Sequence, residues 1–537
     1  MASQTLAKCG QTLRFILRLD RVWLPVWLVG CLVLALATLQ LFPGFAQTEE
    51  ELTVFGEMLK NPAVVAMCGP AYGDGITFGI MYTQMMLVWT ACLVGIMNVL
   101  LVLRHSRRDE EEGRTELIRS LPVGKASSLT ALLVVATASN LVIALVTAAG
   151  LTAQGVEGVD LAGSLVYGAA LGGVGLVFAG LAMLFAQLAS TTRGAMAFSL
   201  GALLVFYLMR AAGDMGGDAE VLSYLSPLGL ALRSFPYFDN NWLVVLALVA
   251  VAAALVVLSY VLSVRRDQGA GVLPQRRGRS RAGRLLNGQV GLYARQLRWV
   301  VLAWATGVLF CGAGYGSVFN DMESFYNSNP MIQALMGATG TDSYSMMMSV
   351  ISTLMTIVAC IAVVPVVTCV LHLRAEEGKG RLELVLSRKQ SRVAALVGSI
   401  GIALFVAVLM QLVAAVGTWA AATLAMGYDA IGIDVFLITC INHLPALLLF
   451  AGLAAALYGI APRLTPLVWV LLVYSFMMIY LGGFLDVPQW AMDLAPFSLL
   501  ARYPAEEFEL VPFVGLLLGF VVLSAVGVVC FRRRDLR

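Results

Sequence analysis

His105-Ser106-Arg107-Arg108-Asp109-Glu110-Glu111-Glu112-Gly113-Arg114-Thr115-Glu116-Leu117 and His372-Leu373-Arg374-Ala375-Glu376-Glu377-Gly378-Lys379-Gly380-Arg381-Leu382-Glu383-Leu384 are two copies of one segment. Aligned without a gap, His105, Arg107, Glu110, Gly113, Arg114, Glu116 and Leu117 meet identical residues, Asp109 meets Glu376, and Ser120 and Ser387 continue the register. Each copy follows a long apolar run. A charged helix repeated at one face of an otherwise apolar chain is a docking surface for something soluble, which points to a machine driven by a separate engine.

The apolar runs decide the fold class. Hydrophobic residues make up 60% of the chain and charged residues only 12%, and the mean hydropathy is +0.86. Stretches of about twenty apolar residues, the length that crosses a bilayer, recur throughout. Candidate spans fall at 22–42, 76–103, 127–152, 161–188, 194–212, 241–264, 297–318, 346–373, 391–425, 434–460, 464–484 and 510–531. The expected fold is an all-α polytopic membrane protein of twelve transmembrane helices.

Charge gives the orientation. Loops after odd-numbered spans are acidic, with Glu49, Glu50, Glu51, Glu57, Asp214, Asp218, Glu220, Asp321, Glu323, Asp486, Glu506, Glu507 and Glu509 against few cations, Lys60, Arg210, Arg233 and Arg502. The other Lys and Arg lie on the opposite side, and the positive-inside rule then places both termini in the cytosol. The nine cysteines, mostly in or near spans, suggest neither a disulfide framework nor a metal site. The first apolar stretch is long enough to remain as an anchor rather than a cleaved leader.

The duplication extends beyond the motif. Gly10-Gln11 and Gly288-Gln289 each precede a stretch mixing Arg with bulky apolar residues, read either as an interfacial helix or as the cation-rich end of a span. Pro227-Leu228-Gly229-Leu230-Ala231-Leu232-Arg233 matches Pro496-Phe497-Ser498-Leu499-Leu500-Ala501-Arg502 at Pro, Leu and Arg, in external segments expected to hold short helices. The expected organisation is a first six-helix half at 1–264, a basic cytosolic linker at 265–287 and a second six-helix half at 288–537. With an even number of spans each, the halves are parallel repeats, a fused pseudo-dimer. The linker arginines Arg265, Arg266, Arg276, Arg277, Arg279, Arg281 and Arg284 suit anionic lipid better than nucleic acid, since no folded nucleic-acid module accompanies them.

Within the motif, helical spacing would pair Glu110 with Arg114, Glu377 with Arg381 and Lys379 with Glu383. A solvated helix with self-satisfied charges is the plain alternative, and its repetition at the same topological place favours docking. Pro122 and Gly124 give the first copy a sharp stop that the second lacks. Ser120–Ser127 only superficially resembles a phosphate loop: it lacks the first glycine and the Ser/Thr after Lys, and it follows a charged helix instead of a strand. No catalytic or metal-binding constellation is present in the sequence, so the chain is not expected to hydrolyse nucleotide itself.

Acidic pairs followed by Gly-Arg-x-Glu-Leu after the second span of each half, with the two Pro-x-x-Leu-x-x-Arg segments, resemble the ABC-2 type exporter permeases. The likeness is closest to their fused twelve-span branch of antibiotic or polyketide exporter permeases. That resemblance implies a multi-pass protein of the bacterial cytoplasmic membrane, with no cofactor of its own. Its partner would be two copies of a separate ATP-binding-cassette ATPase carrying ATP and Mg. Each copy would receive one coupling helix, through Asp109, Glu110, Gly113, Arg114, Glu116 and Leu117 or through Glu376, Glu377, Gly380, Arg381, Glu383 and Leu384. It also implies a substrate path near the second and fifth spans of each half, where this chain carries Met81, Tyr82, Met85, Trp89, Phe206, Tyr207, Met347, Met348, Met355, Tyr474, Met477 and Met478. Met and aromatics form an adaptable apolar surface suited to amphipathic or lipid-like cargo, and the same pattern also serves plain packing.

The intramembrane polar residues Asn98, Asn140, Gln187, Gln411, Asn442 and His443 suit interhelical hydrogen bonds. Arg210 is expected at the outer interface, and His105 and His372 at caps or head groups. A secondary transporter shares the six-plus-six layout, but the glycine-rich Asp-Arg loop of the major facilitator class and a mid-span carboxylate are absent from the sequence. A membrane sensor that docks a soluble partner through the same helices is the remaining alternative.

Overall fold

A computed structural model describes residues 7–45, 56, 59, 62–73, 77–124, 126–215, 220–266, 269–273, 283, 286, 288–317, 319, 343–387, 391–426, 431–481 and 488–534. Every regular element among them is helical. The chain divides into two compact units, Met1–Gly278 and Arg279–Arg537. Linker arginines Arg276, Arg277, Arg279, Arg281 and Arg284 lie outside the described residues.

In the first unit, Phe78–Arg104, Ser127–Ala153, Leu161–Leu188, Thr192–Asp214 and Trp242–Arg265 are long and apolar enough to cross a bilayer and form spans two to six. The second unit contributes Gln289–Gly316, Ser343–Glu377, Arg392–Met426, Ile433–Ile460, Pro466–Leu481 with the preceding 3-10 turn Pro462–Leu464, and Leu510–Arg533 as spans seven to twelve. Span one is Trp23–Ala37, followed by the 3-10 turn Leu39–Leu41 and Phe42–Phe45. At about 1.5 Å per residue, Trp23–Ala37 alone falls short of a bilayer core, and it passes as a twelfth candidate span only together with the bent Cys9–Leu19. The protein is an all-α, multi-pass membrane protein.

The two interfacial stretches take different forms. Cys9–Leu19 is a separate helix, bent by 69° from Trp23–Ala37, and it exposes Arg14 and Arg18 opposite a buried face of Thr12 and Ile16. Its cap, Asp20, is buried and bound to Arg104 and His105, which holds the chain at the bend. In the second unit the corresponding residues run straight into the span within Gln289–Gly316. Arg298 stands at the position of Asp20, so no anchored carboxylate breaks the helix there.

Cores form where spans carry small residues and can approach closely. Asn98 and Asn140 exchange reciprocal amide hydrogen bonds of 3.0 and 2.8 Å between spans two and three. Gly175 of span four lies flat on this pair: a Cβ there would sit 1.9 Å from Asn140 Oδ1. In the second unit, His443 of span ten meets Thr356 of span eight at 3.0 Å, and Asn442 donates to the Ala501 carbonyl at 2.8 Å. Spans six and twelve expose apolar rows, Leu243, Leu246 and Val257 in one and Val511, Leu518 and Val522 in the other. Such rows suit contact with lipid tails.

Candidate functional site

Both copies of the motif sit where a span ends, and both are divided by a glycine. Span two stops at Arg104, Arg107–Glu111 forms one turn, and Gly113 at φ 73° leads into the short helix Arg114–Arg119. Span eight runs on to Glu377, and Gly380 at φ 66° leads into Arg381–Leu386. A left-handed residue at this junction favours glycine, which carries no Cβ penalty. Both short helices are followed by serine, with Ser120 Oγ donating to the Leu117 carbonyl at 2.8 Å and Ser387 Oγ to the Leu384 carbonyl at 2.9 Å. The stop is therefore common to both copies and precedes Pro122.

The glycine separates two kinds of residue. Before it, Asp109 and Glu376 are buried, and Glu110 and Glu377 are only slightly exposed. After it, Glu116 and Glu383 are exposed, and Leu117 and Leu384 present 73% and 71% of their surface. Single exposed leucines are unremarkable, but two at one repeated position beside an exposed glutamate form a presented edge.

The ion pairs depart from simple helical spacing, because the break at Gly113 removes Glu110 and Arg114 from one continuous helix. Glu110 instead meets Arg107 at 2.5 Å and Arg266, the residue capping span six. Arg114 meets Asp109 at 3.1 Å and Glu112 at 2.5 Å. In the second copy, Arg381 pairs with Glu376 at 3.1 Å. Glu377 accepts two 2.6 Å bonds from Arg534 and one of 2.7 Å from the Tyr458 hydroxyl. No ion pair joins Lys379 and Glu383 among the described residues. Arg107 is buried and donates to the carbonyls of Ser190, Gly269 and Ala270. Glu111 accepts from the backbone and hydroxyl of Thr192 at 2.8 and 2.6 Å, fastening the first copy to the start of span five.

His105 is buried and His372 half-buried. His105 caps span two but turns its ring inward, its Nε2 lying 2.5 Å from Asp20 Oδ2 and its Nδ1 3.7 Å from Asp109 Oδ2. His372 meets the Gln296 amide oxygen at 2.7 Å and the Tyr293 ring at 5.7 Å between centroids.

At the far end of span five, Arg210 is fully buried, and it donates to the carbonyls of Val65, Ala66 and Met67 at 2.8 to 3.2 Å. Those carbonyls belong to the last turn of Pro62–Cys68, where a cation also meets the negative end of the helix dipole. Asp214 lies 3.6 Å from Arg210 and 3.1 Å from Arg233. Burial penalises the charge on Arg233, but contacts with Tyr224 and Asp214 outweigh it and hold its pKa above the ordinary value. The matching Arg502 is exposed.

The residues of the expected substrate path divide by burial. Met81, Tyr82, Met348 and Met355 are packed inside their units. Tyr82 donates to the Ala35 carbonyl and lies between the Phe42 and Tyr167 rings. Trp89 and Met477 are exposed at 42% and 41%. Met85, Phe206, Tyr207, Met347, Tyr474 and Met478 are half-buried, with the Tyr207 ring 6.3 Å from Trp89 and the Tyr474 hydroxyl donating to the Ala491 carbonyl.

The family model described as "Multidrug efflux system permease Rv1217c, C-terminal domain" matches residues 10–262 and 286–532. The chain belongs to this family of efflux permeases. It is 32% identical over 532 residues to the "Multidrug efflux system permease protein Rv1217c" of Mycobacterium tuberculosis (strain ATCC 25618 / H37Rv), covering 98% of this chain and 94% of that protein. It is accordingly a transmembrane permease of a bacterial cell membrane.

The cations Arg266 and Arg534 are the partners that motif spacing did not reveal. Their signal was nonetheless in the sequence, since Arg265-Arg266-Asp267 and Arg533-Arg534-Asp535 recur after the last span of each half.

Proposed function

We propose that this permease is the membrane-embedded part of an exporter of the ABC-2 type, driven by two copies of a separate ATP-binding-cassette ATPase. The carrying observation is the pair of short helices Arg114–Arg119 and Arg381–Leu386. Each is led by a left-handed glycine and presents an exposed Glu-Leu edge beyond a buried, ion-paired base. A partner that binds both helices can displace them, and the buried base passes the motion to the spans. ATP and Mg would be held by the partner, and this chain would supply the docking edge and the path. Both termini would face the cytosol, and the two units would be parallel repeats. The matched segments 10–262 and 286–532 support that division.

The cargo we assign is an apolar or amphipathic compound. It would be met by Trp89, Tyr207, Met85 and Phe206 in the first unit and by Met347, Tyr474, Met477 and Met478 in the second, a surface that re-packs around varied shapes. The word "multidrug" in the relative's name agrees with cargo of this kind.

Affinity purification in mild detergent tests the reading: two cassette ATPases per chain are expected. Glu116→Lys with Glu383→Lys should leave the folded protein in the membrane and abolish ATP-coupled export. Purification of the chain alone, with transport driven by an ion gradient, would promote the secondary transporter instead.

A further inference from the structure

Glu110 and Glu377 hold the same register position in the two copies of the motif, and each is gripped by an arginine from the end of its unit's last span. The arginines are equivalent in three respects. Arg266 caps Trp242–Arg265 with φ −93° and ψ 138°, and Arg534 caps Leu510–Arg533 with φ −76° and ψ 141°. In both, the preceding arginine, Arg265 or Arg533, is exposed. The extended backbone turns the next guanidinium inward, leaving 8% and 15% of its side chain accessible.

Each guanidinium also reaches the end of its unit's fourth span. Arg266 donates to the Ala186 carbonyl at 3.3 Å, and Arg534 donates to the Tyr458 carbonyl at 2.9 Å. The Tyr458 hydroxyl returns to Glu377 at 2.7 Å, closing a ring of contacts. One arginine thus joins the motif, span four and span six in the first unit. The other joins the motif, span ten and span twelve in the second.

Long surface arginines at the end of a span ordinarily face water or head groups. Drawing two of them inward costs desolvation, which charge-assisted hydrogen bonds to a carboxylate offset only in good geometry. That this geometry forms twice, at the base of a charged segment that the chain carries twice, points to a role in force transfer. We propose that Arg266 and Arg534 are positioning residues that fasten each charged element to the last span of its unit. A displacement of Arg114–Arg119 or Arg381–Leu386 then carries spans six and twelve as well as two and eight. The inference rests on the exporter reading for the source of the displacement, but not for the clamp itself.

The test uses the full chain co-expressed with its ATPase. Efflux is read with ethidium, or with whichever of a panel of amphipathic dyes the unaltered chain expels. Arg534→Gln and Arg266→Gln should each lower dye expelled per ATP hydrolysed by about tenfold, within the range by which residues in a coupling network alter coupling. ATP hydrolysis and ATPase co-purification should stay near those of the unaltered chain. Arg534→Lys, which keeps the charge but loses the fork, should fall between. The exchange Glu377→Arg with Arg534→Glu should restore much of the ratio.

An unchanged ratio in both Gln variants, or an exchange no better than Arg534→Gln alone, would overturn the clamp. Should a Gln variant fail to fold, the Lys variant and the exchange carry the same decision. If no ATPase co-purifies, the exporter reading fails. Dye efflux alone, lowered by Arg534→Gln and restored by the exchange, then still decides the clamp.

Discussion

Glu110 with Arg266 and Glu377 with Arg534 are one contact made twice, at the motif end of each unit. Arg233 and Arg502 hold matching positions at the opposite end and are used differently. The first is buried on Asp214 and packed against the Tyr224 ring at 4.2 Å, whereas the second is exposed and its backbone N–H meets Glu506 at 2.9 Å. That these are opposite ends follows from span five. Thr192 at its start binds Glu111 of the motif, and Asp214 stands at its other end, about 33 Å away at 1.5 Å per residue. The motif end keeps one arrangement in both units. The far end differs between them, and the first unit has closed it with a buried charge cluster.

The largest expected effect lies in that cluster. Asp214→Ala would leave Arg210 and Arg233 buried without their shared carboxylate, which typically costs about 3–5 kcal/mol. Arg502→Ala should change stability by less than about 0.5 kcal/mol, as surface substitutions usually do. Thermal unfolding of the purified chain in detergent checks both. Equal shifts would mean that the far ends differ in shape without differing in energetic weight.

A smaller contrast separates the two histidines. His105 is tied to a buried carboxylate, and His372 to a neutral amide. Asp20→Asn removes a buried charge from contact with both His105 and Arg104, and hydrogen bonds to charged groups are worth about 1.5–3 kcal/mol. Gln296→Ala removes a bond to a neutral acceptor, worth about 0.5–1.5 kcal/mol. The first substitution should also loosen the bend between Cys9–Leu19 and Trp23–Ala37. Increased hydrogen exchange confined to residues near that bend is the expected signature, and protection there like that of the unaltered chain would show that the carboxylate does not hold it.

Hydropathy made the spans legible in the sequence, because about twenty consecutive apolar residues have few other uses. The motif was legible because it was repeated. Its internal division was not: Glu110 and Glu377 before the glycine are largely buried while Glu116 and Glu383 after it are exposed, and helical spacing across a helix break predicts pairs that do not form. The clamp was also hidden from local reasoning. Glu110 and Arg266 lie far apart in the chain, and their meeting depends on an extended cap that turns one arginine of a pair inward. Burial separated Met81, Tyr82, Met348 and Met355 from the accessible Trp89 and Met477, a division that composition cannot make. The bend after Leu19 was one of two readings, and the side-chain partner that decides it, His105, comes from another span.

The glycines offer the mildest and cleanest comparison of the two motif copies. A Cβ at Gly113 or Gly380 would meet nothing within 4 Å, so substitution there probes the backbone alone. Alanine in a left-handed conformation costs about 1–2 kcal/mol, and the strain falls on the junction between the clamped base and the exposed helix. Gly113→Ala and Gly380→Ala should therefore raise hydrogen exchange in Arg114–Arg119 and Arg381–Leu386 by similar factors while spans two and eight keep their protection. Asparagine, which tolerates this conformation better, should do so less. Efflux should fall in step with the loss of protection if a stiff junction is what transmits the stroke. A fall in only one of the two variants would mean that the copies share a geometry but not a workload, with the first, fastened also through Glu111 to Thr192, the better placed to carry it.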